Sequence, residues 1–142
     1  MGLLSVLDIS GAALDVQRSR MLVATTNLAN AQTTSPVGDK VYQPLEVIVR
    51  SVVPNPMETL TADSLPRPTV AAIEPMNATP RRMYEPGHPD ADSAGFVSYP
   101  GVDPVGTMLD LITISRSYEA NLKAFDITRS LLQKTLELEN QR

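Results

Sequence analysis

The sequence predicts a mainly α protein with a β-rich insert, its N- and C-terminal helices paired as an antiparallel coiled coil and an irregular β/loop region between them. Three observations carry this reading. Apolar residues recur at helical spacing at both ends, the twelve prolines fall between Pro36 and Pro104, and short strand-like runs occupy the middle. The expected organisation is a first helix over 1–31, an insert and connector over 32–102, and a last helix over 103–142. Segments 1–31 and 103–142 together form one helical core.

The first helix rests on Leu3, Leu7, Leu14, Met21 and Leu28, with Ser10, Gln17 and Ala24 on the same stripe. The steps are close to a heptad, and Gly11 inside it costs about 1 kcal/mol relative to Ala. Asn30 and the following AQTTSPVG read as the stop. Asn tolerates the left-handed position at a helix end, and Pro36 prevents continuation.

The last helix starts more sharply. Asp103 before Pro104 is an N-cap followed by proline at the first helical position, where its missing N–H costs nothing. From there Leu111, Ile114, Tyr118, Leu122, Phe125, Leu132 and Leu136 recur at three, four and seven residues, and Glu119 and Lys123 stand four apart on another face. At the helical rise such a helix spans roughly 50 Å, more than a small domain buries along its length.

Between the helices, residues 41–53 (VYQPLEVIVRSVV) have strand composition, with Leu45, Val47 and Val49 on one face. Residues 68–73 and 95–99 are shorter candidates, and 54–66 reads as loop or disorder. The two helical stripes are each other's obvious partner. One pair of helices still leaves apolar flanks uncovered, and uncovered flanks of that kind mark an assembly surface.

Composition limits the functions available. A chain of 142 residues with a net charge of −4 lacks the basic face of a nucleic-acid binder. Its aromatic content is 4%, with no Trp and two Phe, so the core must be aliphatic. Without cysteine there is no disulfide, thiol catalysis or Cys-ligated metal. The N-terminus lacks a basic start, and Asp8 interrupts its apolar run, so no cleaved secretory signal is expected. No apolar run reaches the ~20 residues that span a bilayer. Export, if it occurs, is expected to need no such signal.

The single histidine, His88, is followed by Asp90 and Asp92, and imidazole with carboxylates suits a divalent metal. Three ligands within five residues of loop lack the usual multi-ligand scaffold. The competing account is structural: Pro86 and Pro89 fix φ, Gly87 and Gly95 permit unusual backbone angles, and His88 and the two Asp bond nearby backbone groups. Pro86, Gly87, His88, Pro89, Gly95 and Pro100 then form a shaped connector leading from the insert to Asp103. No catalytic residue and no cofactor is expected, and a small metal-binding module centred on His88 is the reading from another class.

At this point the residues resemble a known family. NLANAQTT, residues 27–34, resembles the signature that ends the first helix of bacterial flagellar rod and hook proteins. The block YEPGHPDADSAGFVSYPGV, followed by SRSYEANLKAFDITRSLL, is similar to the two blocks that mark the C-type proximal rod proteins of that family. Gly101 departs from the family's usual Asn, and Val105-Gly106-Thr107 replaces a more acidic helix start.

The resemblance implies a structural subunit of the basal-body rod. Such a subunit is exported through the flagellar type III apparatus and polymerises across the periplasm into a hollow shaft that carries torque and passes exported subunits. Its implied partners are copies of itself and other rod proteins, the export apparatus, the motor-base adaptor and the surrounding ring proteins, with no nucleic acid and no direct membrane span. The implied subunit interface is Leu7, Leu14, Met21, Asn27, Leu28, Asn30, Thr33, Leu111, Ile114, Tyr118, Asn121, Leu122, Phe125, Leu132 and Leu136. A sibling rod protein of the same axial family is the nearer alternative.

Overall fold

The computed structural model describes residues 3–53 and 65–140, so most of the expected 54–66 loop lies outside the described residues. Helix α1 spans Leu3–Ala29 and helix α2 spans Pro104–Asn140. Between them run strands β1 (Leu45–Val52), β2 (Arg67–Pro75), β3 (Arg81–Tyr84) and β4 (Phe96–Tyr99). β1 pairs with β2, and β3 with β4, in separate two-stranded sheets. The expected strands at 41–53, 68–73 and 95–99 are therefore present, the second extended at both ends. Strand β3 was not foreseen. Its sequence RRMY is exposed at every position, so no apolar alternation announces it.

The described residues gather into two compact units. One takes in the described residues within 3–19, 48–72 and 114–140, and the other Arg20–Val47 and Ile73–Thr113. Each unit thus contains part of both helices.

Helix α1 keeps one solvent stripe, Asp8, Asp15, Arg18, Leu22, Thr25 and Ala29, at steps of seven, three and four. Opposite that stripe, Ser5, Val16 and Val23 are buried, with Ala24 beside them. The heptad residues Leu7, Leu14, Met21 and Leu28 are half-buried, on the flank of that deepest line. The helix ends where expected, but by another device than a left-handed asparagine: among the described residues no non-glycine residue has positive φ. Instead the Asn30 side-chain Nδ2 donates to the Thr26 carbonyl at 2.9 Å, where the Asn30 backbone N–H also donates at 3.1 Å. That pair of bonds satisfies a carbonyl the helix leaves open.

Helix α2 begins as the sequence dictates. The Val105 N–H donates to Asp103 Oδ1 at 3.1 Å, and the Thr107 N–H and hydroxyl both donate to the Asp103 carbonyl, at 2.9 and 2.7 Å. A Cβ at Gly106 would stand 2.7 Å from Asp103 Oδ2, so this glycine makes room for the capping carboxylate. The least exposed line of α2 holds Leu111, Ile114, Tyr118, Asn121, Phe125 and Leu132, all half-buried, as the periodicity requires. Leu122 and Leu136 of the same expected set stay exposed, as do Glu119 and Lys123.

Candidate functional site

The connector is a hairpin loop held by its own polar groups. In the β3–β4 register Arg82 faces Ser98 and Tyr84 faces Phe96, while Arg81 faces Tyr99 and Met83 faces Val97. Directly opposed residues share a face. On the second of these faces Val97 is wholly buried, which anchors the hairpin. On the first, the Tyr84 and Phe96 rings meet edge-on with centroids 5.3 Å apart, and the Arg82 guanidinium lies 5.0 Å from the Phe96 ring centre.

Asp92 organises the loop. Its Oδ1 accepts the N–H groups of Ala94 and Phe96, both at 2.9 Å, and its Oδ2 pairs with Arg82. The Phe96 N–H, with that of Ala94 and the Arg82 charge, holds the Asp92 carboxyl below the ordinary carboxylate value against some desolvation. Backbone bonds close the rest: Glu85 N–H to Gly95 O at 2.9 Å, His88 N–H to Glu85 O at 3.0 Å, and Ala91 N–H to His88 O at 3.1 Å. The Tyr99 hydroxyl donates to Glu85 Oε2 at 3.1 Å, and burial together with that carboxylate pushes the phenol upward.

Gly95 has φ +81°, and an added Cβ would approach Tyr84 Cε2 to 2.9 Å and Pro86 Cβ to 3.2 Å. Its glycine is required twice over. Gly87 is different. Its φ is not positive and a Cβ there would meet nothing within 4 Å, so the unusual backbone angle expected at Gly87 is not used. Pro100 is fully buried beside Val102, and Pro86 and Pro89 lie exposed on the loop.

In the suspected metal triad His88 Nδ1, Asp90 Oδ2 and both Asp92 oxygens already have partners. His88 Nδ1 accepts the Asp90 N–H at 3.1 Å, so its lone pair points into the loop. Asp90 Oδ2 accepts the Thr34 hydroxyl at 2.5 Å, and lies 3.9 Å from His88 Nδ1. Both Asp92 oxygens are occupied as described. Among the described residues no group of three or more His, Cys, Asp or Glu is placed to hold a metal ion. The chemistry of this loop is that of hydrogen-bonded shaping, and Thr34 ties it to the segment following α1. Sequence reasoning did not foresee the Thr34–Asp90 contact, because the two residues are 56 apart in the chain.

The other polar site is at the end of α1. The Asn27 side chain receives the Leu45 N–H on Oδ1 and donates Nδ2 to the Leu45 carbonyl, each at 2.8 Å, while the Tyr42 hydroxyl donates to the same Oδ1 at 2.8 Å. Burial pushes the Tyr42 phenol upward. The sequence suggested that Asn27 and Asn30 offer amides to a neighbouring subunit. In the structure both amides make bonds within their own chain, and the Thr33 hydroxyl donates to Asn30 Oδ1 at 3.3 Å.

Several apolar side chains stand exposed along α2, among charged ones. Val105, Met108, Leu109 and Ile112 form a ridge at helical spacing and are 51–68% exposed; Leu22 of α1, in the same unit, is 65% exposed. In the other unit Ile127, Leu131 and Leu138 form a second ridge, 52–68% exposed. No helix among the described residues is long and apolar enough to cross a membrane.

Long helices with bare apolar ridges suit an assembling structural protein. Residues 93–138, which include β4 and most of α2, match the family model described as "Flagellar basal body rod FlgEFG protein C-terminal". That match points to the class of flagellar basal-body rod proteins.

Relatives narrow it. The chain is 35% identical over 138 residues to the flagellar basal-body rod protein FlgC of Salmonella typhimurium (strain LT2), covering 97% of this chain and 98% of that one. It is 35% identical over 137 residues to FlgC of Aquifex aeolicus, with 96% and 97% covered, and 34% identical over 142 residues to FlgC of Bacillus subtilis, with 93% and 95% covered. The chain belongs to the FlgC family of flagellar basal-body rod proteins. These relatives are named as rod proteins, not as enzymes.

Proposed function

We propose that this chain is a structural subunit of the flagellar basal-body rod that polymerises through its terminal helices into the hollow drive shaft. The observation that carries the reading is the pair of apolar ridges on α2, Val105–Met108–Leu109–Ile112 and Ile127–Leu131–Leu138, left in water by the chain alone. Covering what remains exposed of each such side chain contributes on the order of 1–2 kcal/mol. Many such contacts acting in parallel resist torque.

In this reading α1 and α2 pair as an antiparallel coiled coil. The grouping of early α1 with late α2, and of late α1 with early α2, supports that pairing. Residues Leu7, Leu14, Met21, Leu28, Leu111, Ile114, Tyr118, Phe125 and Leu132 lie along the helix seam. Asn27, Asn30, Thr33, Asn121, Leu122 and Leu136 lie where neighbouring subunits meet. The partners are further copies and other rod proteins, reached after export through the flagellar type III apparatus. The motor-base adaptor and ring proteins lie at the rod's margins, and the periplasm is where the rod stands. Non-closing, head-to-tail contacts build a helical filament rather than a closed ring.

The test places charge on a ridge. Because Ile127 and Leu131 are exposed in the single chain, Ile127→Glu and Leu131→Glu leave the helix intact. The expected result is a chain exported at the normal level but absent from purified basal bodies, in non-motile cells. Normal incorporation of both variants would overturn the reading.

A further inference from the structure

The Asn27 side chain does what a neighbouring strand would do. In a hydrogen-bonded antiparallel pair, two residues exchange both backbone bonds. Asn27 exchanges the same two with Leu45, through its amide, at 2.8 Å each. Leu45 is the first residue of β1. On the other edge of the strand the Pro44 carbonyl accepts the Met76 N–H at 2.7 Å, just past the end of β2. The carbonyl and N–H of one trans peptide group point to opposite sides, and in a strand a residue's own N–H and carbonyl share an edge, so the Leu45 N–H and carbonyl face away from β2. The asparagine occupies the edge that β2 leaves open, on a residue that is half-buried. Tyr42 then fixes the amide's orientation, since its hydroxyl takes the second acceptor site of Oδ1.

We infer that Asn27 is the positioning residue that sets the register of the insert on α1, so that the end of the helix and the start of β1 become ordered as one event. Asn27 lies in the last turn of α1 and presents the paired donor and acceptor only when that turn is helical. Leu45 finds its partner only then. The 15 residues between Ala29 and Leu45 carry no helix or strand, so the amide is the direct polar tie between the two elements at this point. The inference concerns contacts within one chain and does not depend on the rod reading.

The test uses the full chain and measures amide exchange at Leu45, as protection relative to the free-peptide rate at each pH. Asn27→Ala removes all three bonds and lowers Leu45 protection by about tenfold or more, the scale of one or two net hydrogen bonds. Asn27→Asp is more telling. Its carboxylate keeps an acceptor toward the Leu45 N–H but turns a second oxygen, in place of Nδ2, toward the Leu45 carbonyl.

Protonation restores the lost donor. Protection in the Asp variant should therefore be low near neutral pH and recover as pH falls through the carboxyl range, while the Ala variant stays low throughout. Tyr42, the titratable side chain bonded to Asn27, is neutral across that window. Where Asn27→Ala does not fold, Tyr42→Phe removes one bond and lowers Leu45 protection by less. A Leu45 amide unprotected in the unsubstituted chain, unaffected by Asn27→Ala, or unresponsive to pH in Asn27→Asp overturns the inference. None of these results bears on whether the chain builds a rod.

Discussion

Replacing Gly101 with asparagine should destabilise this chain, because the local packing leaves little room for a side chain. A Cβ on Gly101 would stand 2.6 Å from the Thr79 carbonyl oxygen, 2.9 Å from the Ala78 Cβ and 3.3 Å from the Thr79 carbonyl carbon. Two of those atoms are backbone and cannot swing aside. The segment they belong to is held in turn, with the Ala78 N–H bonded to Met76 O at 2.8 Å and the Met76 N–H to Pro44 O at 2.7 Å.

Forcing such a shift costs about 1–3 kcal/mol, as overpacking generally does. For a chain of this size that lowers the melting temperature by roughly 3–10 °C. Thermal and urea unfolding followed by circular dichroism would measure it, with Gly101→Ala expected to show most of the loss. Ala78→Gly in the Gly101→Ala background should restore only part, because the contact with Thr79 O remains. An asparagine variant as stable as the parent would refute the packing argument.

Further outcomes follow from the same contacts. Asp103→Ala removes the acceptor for the Val105 N–H and should cost about 1 kcal/mol, read as lost helicity in the first turns of α2. The Asp92 carboxyl lies below its ordinary value of 3.8 in the folded chain, so its contribution is present above that pH and is lost as pH falls through the lower, folded value. Amide protection in the β3–β4 hairpin should drop in that acid window, and Asp92→Asn should remove the pH dependence there. The Asp8–Arg67 pair, 3.2 Å apart and open to solvent, should contribute at most about 1 kcal/mol; Asp8→Asn should shift the melting point little, and less at high salt.

How far the sequence could be read depended on the range of the interactions. Both helices, the Asp103–Pro104 start and three of the four strands were legible, because caps, proline and periodicity act over a few residues. The half-buried line of α2 followed from the same periodicity. The deepest line of α1 did not: Val16 and Val23 sit two positions from the leucine stripe, and α1 is apolar enough around its circumference that several stripes compete. In the connector the need for glycine at Gly95 was legible. The connector's fastenings were not, since Arg82–Asp92 joins a strand to a loop and Thr34–Asp90 bridges distant segments. Asn27 was noticed as an unusual residue for a helix interior, but its partner is 18 residues away across a turn, beyond any periodic signal.

The most direct test of the account is an image reconstruction of an intact basal body with this chain traced. The account predicts Val105, Met108, Leu109 and Ile112, together with Ile127, Leu131 and Leu138, covered by neighbouring subunits, and α1 alongside α2 in opposite directions. Those ridges facing open solvent in the assembled rod, or the two helices standing apart, would contradict it.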